Sequence, residues 1–158
     1  MQFVRAASRF ASVEQFMDAL AELRKAKRGL FLQAFDAAAI VSEAHLMLAY
    51  EAAGLAFKEK RNFAEKLEAE VLGRVAGTRK IKEAIGRVGV KDAGNVVVMF
   101  EGVGKEEVLK GLGARELKPV FAADGKEMAK RFGLSTKALA AYPLEKLVLE
   151  RVAMAGVE

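Results

Sequence analysis

The apolar positions of this chain follow two rhythms. Short unbroken runs predict strands, and longer stretches with apolar residues three and four apart predict helices. Phe3-Val4-Arg5-Ala6 reads as a short strand. Ser12 opens a helix with Gln15 three residues later, a capping-box spacing, and Val13, Phe16, Met17, Leu20 and Leu23 form its expected buried stripe. The basic run Arg24-Lys25-Ala26-Lys27-Arg28 suits the negative pole of that helix and reads first as a solvated terminus. Leu30 to Phe35 reads as a mostly buried strand, with Asp36 capping one turn through Ile40. Ser42 caps a longer helix that carries Leu46, Ala49, Tyr50, Ala53 and Phe57 at helical spacing.

A polar turn at 58–62 leads into a helix expected over 64–76, with Leu67, Val71, Leu72 and Val75 on one face. A second helix, expected over 79–88, repeats the pattern with Ile81, Ala84, Ile85 and Val88. Asn95 to Glu101 is the strongest strand, and its unbroken apolar run suits a central strand covered on both faces. A helix from Glu106 to Leu112 follows. Leu117 to Phe121 is a further strand, pushed to an edge by Pro119. Asp124 with Glu127 caps a helix ended by Gly133, Ser135 caps another turn, and Pro143 opens the last helix at the favoured first position. The expected fold is one α+β domain over residues 1–158, with about seven helices and a mixed sheet of about four strands.

The last helix, 143–155, is apolar over more than one face. Leu144, Leu147, Val148, Val152 and Ala155 form one stripe, while Leu149, Ala153 and Met154 lie partly off it. Such a helix either sits deep in a core or docks a partner. The corner Ala76-Gly77-Thr78-Arg79-Lys80-Ile81 is the second notable stretch. Gly77 can end one helix in the left-handed conformation and Thr78 can cap the next. The first amides of that second helix then lie beside Arg79 and Lys80, which suits a phosphate. The same pattern also fits a plain helix–helix corner with solvated charge. No aromatic residue lies within the corner itself.

Composition sharpens this only in part. The 158 residues are 53% apolar and 30% charged, which is globular, and the net charge is +5 with a pI near 9.5. The segment from Lys58 to Lys91 holds ten Lys or Arg against five Glu, so the basic excess gathers around the corner. Cysteine is absent, which excludes disulfides and thiolate metal sites and fits a reducing cytoplasm. No apolar run is long enough to span a bilayer, and residues 1–5 lack the pattern of a signal peptide. A cytoplasmic protein with no membrane partner is expected.

Catalytic signals are thin. His45 is the only histidine, with no nucleophile motif around it, so a structural role is expected and neither a histidine-based triad nor a zinc site is supported. Gly102-Val103-Gly104-Lys105 superficially resembles a phosphate-binding turn, but the Walker spacing is missing and two glutamates follow.

The ordering of these segments resembles the small kinase-binding regulatory subunit of the KEOPS (EKC) complex in its archaeal form, the CGI-121/TPRKB family. The resemblance runs through Leu32-Gln33-Ala34-Phe35-Asp36, Ser42-Glu43-Ala44-His45-Leu46 and Ala49-Tyr50-Glu51-Ala52-Ala53. It continues through Lys60-Arg61-Asn62, the stretch Gly77 to Ile85, Gly89-Val90-Lys91 and Val96-Val97-Val98. It closes on Leu144-Glu145-Lys146 through Glu150-Arg151-Val152-Ala153. One departure is Lys80, where the family commonly has glutamine.

The resemblance implies a non-catalytic protein with no cofactor of its own, serving the machine that makes threonylcarbamoyladenosine beside the tRNA anticodon. One surface would bind the complex's small atypical kinase and promote its ATP-dependent activity, meeting other KEOPS subunits only indirectly. Carried over by position, that surface is Leu144, Leu147, Val148, Leu149, Val152, Ala153 and Met154. Another would capture the single-stranded 3′ CCA end of tRNA with Lys60, Arg61, Asn62, Gly77, Thr78, Arg79, Lys80 and Ile81, extended by Arg74, Ala84 and Ile85. Single-stranded ends are held by phosphate contacts and by apolar or stacking surfaces for their bases. A kinase-docking module with a purely structural corner, and a small nucleotide-using enzyme built on Gly102 to Lys105, are the competing readings. The second of these lacks an acid, base or metal constellation.

Overall fold

The computed structural model describes residues 1–156. In chain order the elements are β1 (Gln2–Ser8), α1 (Val13–Ala26), β2 (Phe31–Asp36), a short 3-10 turn at Ala37–Ala39, α2 (Glu43–Lys58), α3 (Leu67–Ala76) and α4 (Ile81–Val88). Then come β3 (Val96–Glu101), α5 (Lys105–Gly111), β4 (Ala114–Leu117), α6 (Gly125–Arg131), α7 (Thr136–Ala141) and α8 (Leu144–Met154). This is an α+β fold of eight α-helices and one four-stranded open sheet among the described residues. It forms two compact units, one of residues 1–37 and 90–122, the other of 38–89 and 123 onward.

The first unit holds the sheet, in order β2-β3-β1-β4. Every pairing is antiparallel, where a mixed sheet was expected. Val98 anchors the register opposite both Val4 and Ala34. One face of the sheet presents Val4, Ala6, Leu32, Ala34, Val98 and Phe100 to Phe16 and Leu20 of α1 and to Val108 and Leu112 of α5 and its end. Val97 and Met99 on the opposite side of β3 are equally buried, so the central strand is covered on both faces. The strand expected over Leu117 to Phe121 lies instead at Ala114–Leu117, and its ladder with β1 stops before Pro119, which has no N–H to donate. On α1 the buried stripe narrows to Phe16 and Leu20, and Met17 faces out at 39% exposure.

The second unit is helical. The core face of α2 offers His45, Leu46 and the small residues Ala49, Ala53 and Ala56, which admit α3 and α8 closely. The C-terminal end of α3 accounts for all its orphan carbonyls. Gly77 stands in the left-handed conformation at φ +72. The Gly77 amide donates to Arg74 O and the Thr78 amide to Gly73 O, a Schellman closure. His45 Nε2 bonds Val75 O at 2.9 Å, and Arg87 donates to Ala76 O at 3.0 Å.

His45 is fully buried, edge-on to Phe132. Its Nδ1 accepts from the Val41 amide, so both ring nitrogens are satisfied by the neutral Nε2–H tautomer. Burial lowers its pKa to about 4, against the raising influence of the Val75 hydrogen bond and of Glu145. Between that value and the unfolded 6.5, only the unfolded chain takes up the proton, so stability falls as pH drops through this window and levels off below it. Denaturant titrations of the wild type should lose about 3 kcal/mol more between pH 7 and 4 than those of His45→Gln. Parallel curves for the two proteins would exclude His45 as the source.

Candidate functional site

The basic corner is built from both ends of α3. At its N-terminal end the fully buried Glu70 accepts hydrogen bonds from the Phe63 and Ala64 amides at 2.9 and 2.8 Å, and from Arg74 Nε at 3.1 Å. This carboxylate folds residues 61–66 back as a loop and makes α3 begin at Leu67 instead of 64. The Phe63 ring lies against Gly73, where a Cβ would meet it at 2.7 Å. The same ring carries the Arg74 guanidinium at 5.3 Å and that of Arg79 at 5.8 Å from its centroid. An aromatic side chain therefore does stand at the corner. It was invisible in the local sequence because it arrives from ten residues upstream of Gly73.

The residues expected to contact RNA divide sharply by exposure. Arg74 is 7% exposed and committed to Glu70, and Ala84 and Thr78 are buried as well. Those three side chains present no open surface. Thr78 does not cap α4 directly, since α4 begins at Ile81 with Lys80 in the cap position. Instead the Thr78 hydroxyl accepts from the Lys80 amide at 3.1 Å and donates to Glu83 at 3.0 Å. Arg79, Lys80, Ile81 and Ile85 are exposed together, Ile85 to 51%. Lys60 is exposed with a left-handed backbone at φ +58, Arg61 pairs with Glu59, and Asn62 is half-buried with its amide bonded to Ala64 O. Glu83 lies within 3.8 Å of both Lys80 and Arg87, so the corner carries a carboxylate of its own. Pairs this exposed are worth little and yield readily to a stronger anion.

The last helix separates into two faces. Leu147, Val148 and Val152 are buried with Ala155, and they pack the helix on α2 and α3. Three residues expected to meet a partner are therefore core. Leu149 is half-buried, Ala153 is exposed, and Met154 is 52% exposed. Leu149 and Ala153 line an open concavity of about 410 Å³ with Pro143, Glu145, Lys146 and Glu150. Lys146 Nζ sits 4.6 Å from the centre of the Tyr142 ring. Leu144 is half-buried at the start of the helix.

A family model described as kinase binding protein CGI-121 matches residues 10–156. The chain belongs to the CGI-121 family. None of the curated proteins compared with it matches. The family is described by what it binds, in keeping with a non-catalytic role. The turn at Gly102 adds nothing to an enzymatic reading. Lys105 is tied to Glu116 at 3.2 Å, and Gly102 is explained by the Leu30 backbone, which a Cβ would meet at 3.3 Å. Among the described residues no helix is long and apolar enough to cross a membrane, and no cluster of three His, Cys, Asp or Glu is arranged for a metal ion.

The loop and the corner depend on one carboxylate. Glu70→Ala strands the Arg74 guanidinium and two backbone amides in the interior, and should cost roughly 3–5 kcal/mol. Urea unfolding measures it. A loss below about 1 kcal/mol would mean that Glu70 is not what holds the loop.

Proposed function

We propose that this CGI-121 member is the kinase-binding regulatory subunit of a KEOPS complex, acting as one domain over residues 1–158 with the helix at 143–155 as its docking element. In this reading the exposed face of α8, centred on Leu149, Ala153 and Met154 with Leu144 at its start, meets the small atypical kinase and promotes its ATP-dependent activity. The corner at Gly77 receives the 3′ CCA end of tRNA for threonylcarbamoyladenosine modification. Arg79, Lys80 and Lys60 supply charge for phosphates, and Ile81, Ile85 and the rim of Phe63 supply apolar surface for bases. The protein performs no chemistry of its own, and works in the cytoplasm. Supporting this reading is one observation above all: a single helical unit exposes two surfaces of opposite chemistry, one cationic and one apolar.

The kinase-docking reading without RNA draws on Glu83, which already occupies Thr78, Lys80 and Arg87. The two readings part at one double variant. Arg79→Ala with Lys80→Ala should weaken tRNA binding about tenfold or more in gel-shift titrations at fixed salt, with kinase binding unchanged. Removing the CCA end should produce a similar loss. Equal tRNA affinity would leave the docking module alone standing.

For the helix, Leu149→Asp places a charge on the exposed apolar face and should abolish co-purification with the kinase while the circular dichroism melt stays within a few degrees of wild type. A collapsed melt would assign Leu149 to the core instead.

A further inference from the structure

The sheet unit carries a second concentration of positive charge that the reading above does not use. β1 and β4 pair with Ala7 opposite Arg115, and the ladder continues one step as the Arg9 amide donates to Gly113 O at 2.9 Å. Residues two apart on a strand share a face. Arg9 and Arg115 therefore project on one side, each opposite a residue with little or no side chain, Gly113 and Ala7. Lys110, on α5 across the opposite face, borders the same concavity at the sheet edge. Together they line an open concavity of about 720 Å³ that includes no carboxylate.

The cations here are left without partners by the surrounding bonding. Ser8 Oγ donates to Leu112 O at 2.7 Å, and the Gly113 amide donates to Lys110 O, so the nearby backbone acceptors are consumed. Glu116, which alternation turns to the other face of β4, is held by Lys105 at 3.2 Å. Among the described residues Arg9, Lys110 and Arg115 form no ion pair, and all three are exposed. Gly113, at φ +56, lets the Arg9 side chain lie along the turn, with Nε 3.2 Å from where a Cβ would stand and the Phe10 ring edge at 3.6 Å.

The chemistry selects among anions. Two guanidinium forks match phosphate oxygens in pairs. Diagonal neighbours on a ladder stand about 7–8 Å apart, comparable with the interval between successive phosphates of a nucleic-acid strand. We propose that this groove binds an RNA strand by its phosphates, without regard to sequence. The proposal deepens the RNA-binding reading and rests on it for the class of partner.

The test uses the full chain with three probes: tRNA, the same tRNA lacking its CCA end, and a single-stranded homopolymer RNA. Affinity is followed by fluorescence anisotropy across a salt series. Arg9→Ala with Lys110→Ala and Arg115→Ala should flatten the slope of log K against log salt by about 2–3 and weaken binding on the order of tenfold, equally for all three probes. Lys110→Glu alone, at an exposed helix position, should flatten it by about 1 or more. A wild type that binds all three probes equally would refute the preference for the CCA end and leave the groove standing if the triple variant still loses binding. An unchanged slope in the triple variant, or no binding of the two CCA-free probes by the wild type, overturns the groove. So does competition by polyglutamate as effective as that by RNA.

Discussion

The C-terminal end of α3 is the point on which the helical unit depends. Its last carbonyls would be buried without donors, which costs more than most single contacts return. The four donors come from three places: two amides from the glycine turn, an imidazole from α2 and a guanidinium from α4. Those four bonds fix three helices relative to one another before any hydrophobic packing is considered. His45 makes its bond from a neutral ring, because its Nδ1 accepts from the Val41 amide and its burial disfavours the charged form.

Glu70 does the equivalent at the other end of α3. One carboxylate gathers the loop amides at Phe63 and Ala64 and the Arg74 side chain, and that placement brings the Phe63 ring under Arg79. The charge at the corner is thus sorted by burial into a structural share, Arg74 with Glu70, and an exposed share, Arg79 and Lys80. Net charge along a segment cannot make that distinction.

Much of the architecture was legible in the chain. Ser12, Ser42, Asp124 and Ser135 cap the helices they were expected to cap, since a capping side chain acts within three residues of itself. The central position of β3 followed from its unbroken apolar run. Features set by distant partners were not legible. The start of α3 was displaced by Glu70, the antiparallel sense of the whole sheet is a matter of topology, and Phe63 reached the corner through a loop no local pattern describes. The same limit applied to the residues expected to meet partners. Helical spacing separated Leu149, Ala153 and Met154 from the stripe of α8, but only packing showed that Leu147, Val148 and Val152 are core and that Ala84 and Thr78 are covered.

Gly77 touches more than its own turn. A Cβ there would stand 3.0 Å from Arg151 Cβ and 3.1 Å from Arg151 O, so the backbone of α8 rests directly on the corner with no side chain between them to absorb movement. Packed backbones transmit displacement instead of damping it. A side chain at Gly77 would therefore strain the turn and displace α8 at the same time.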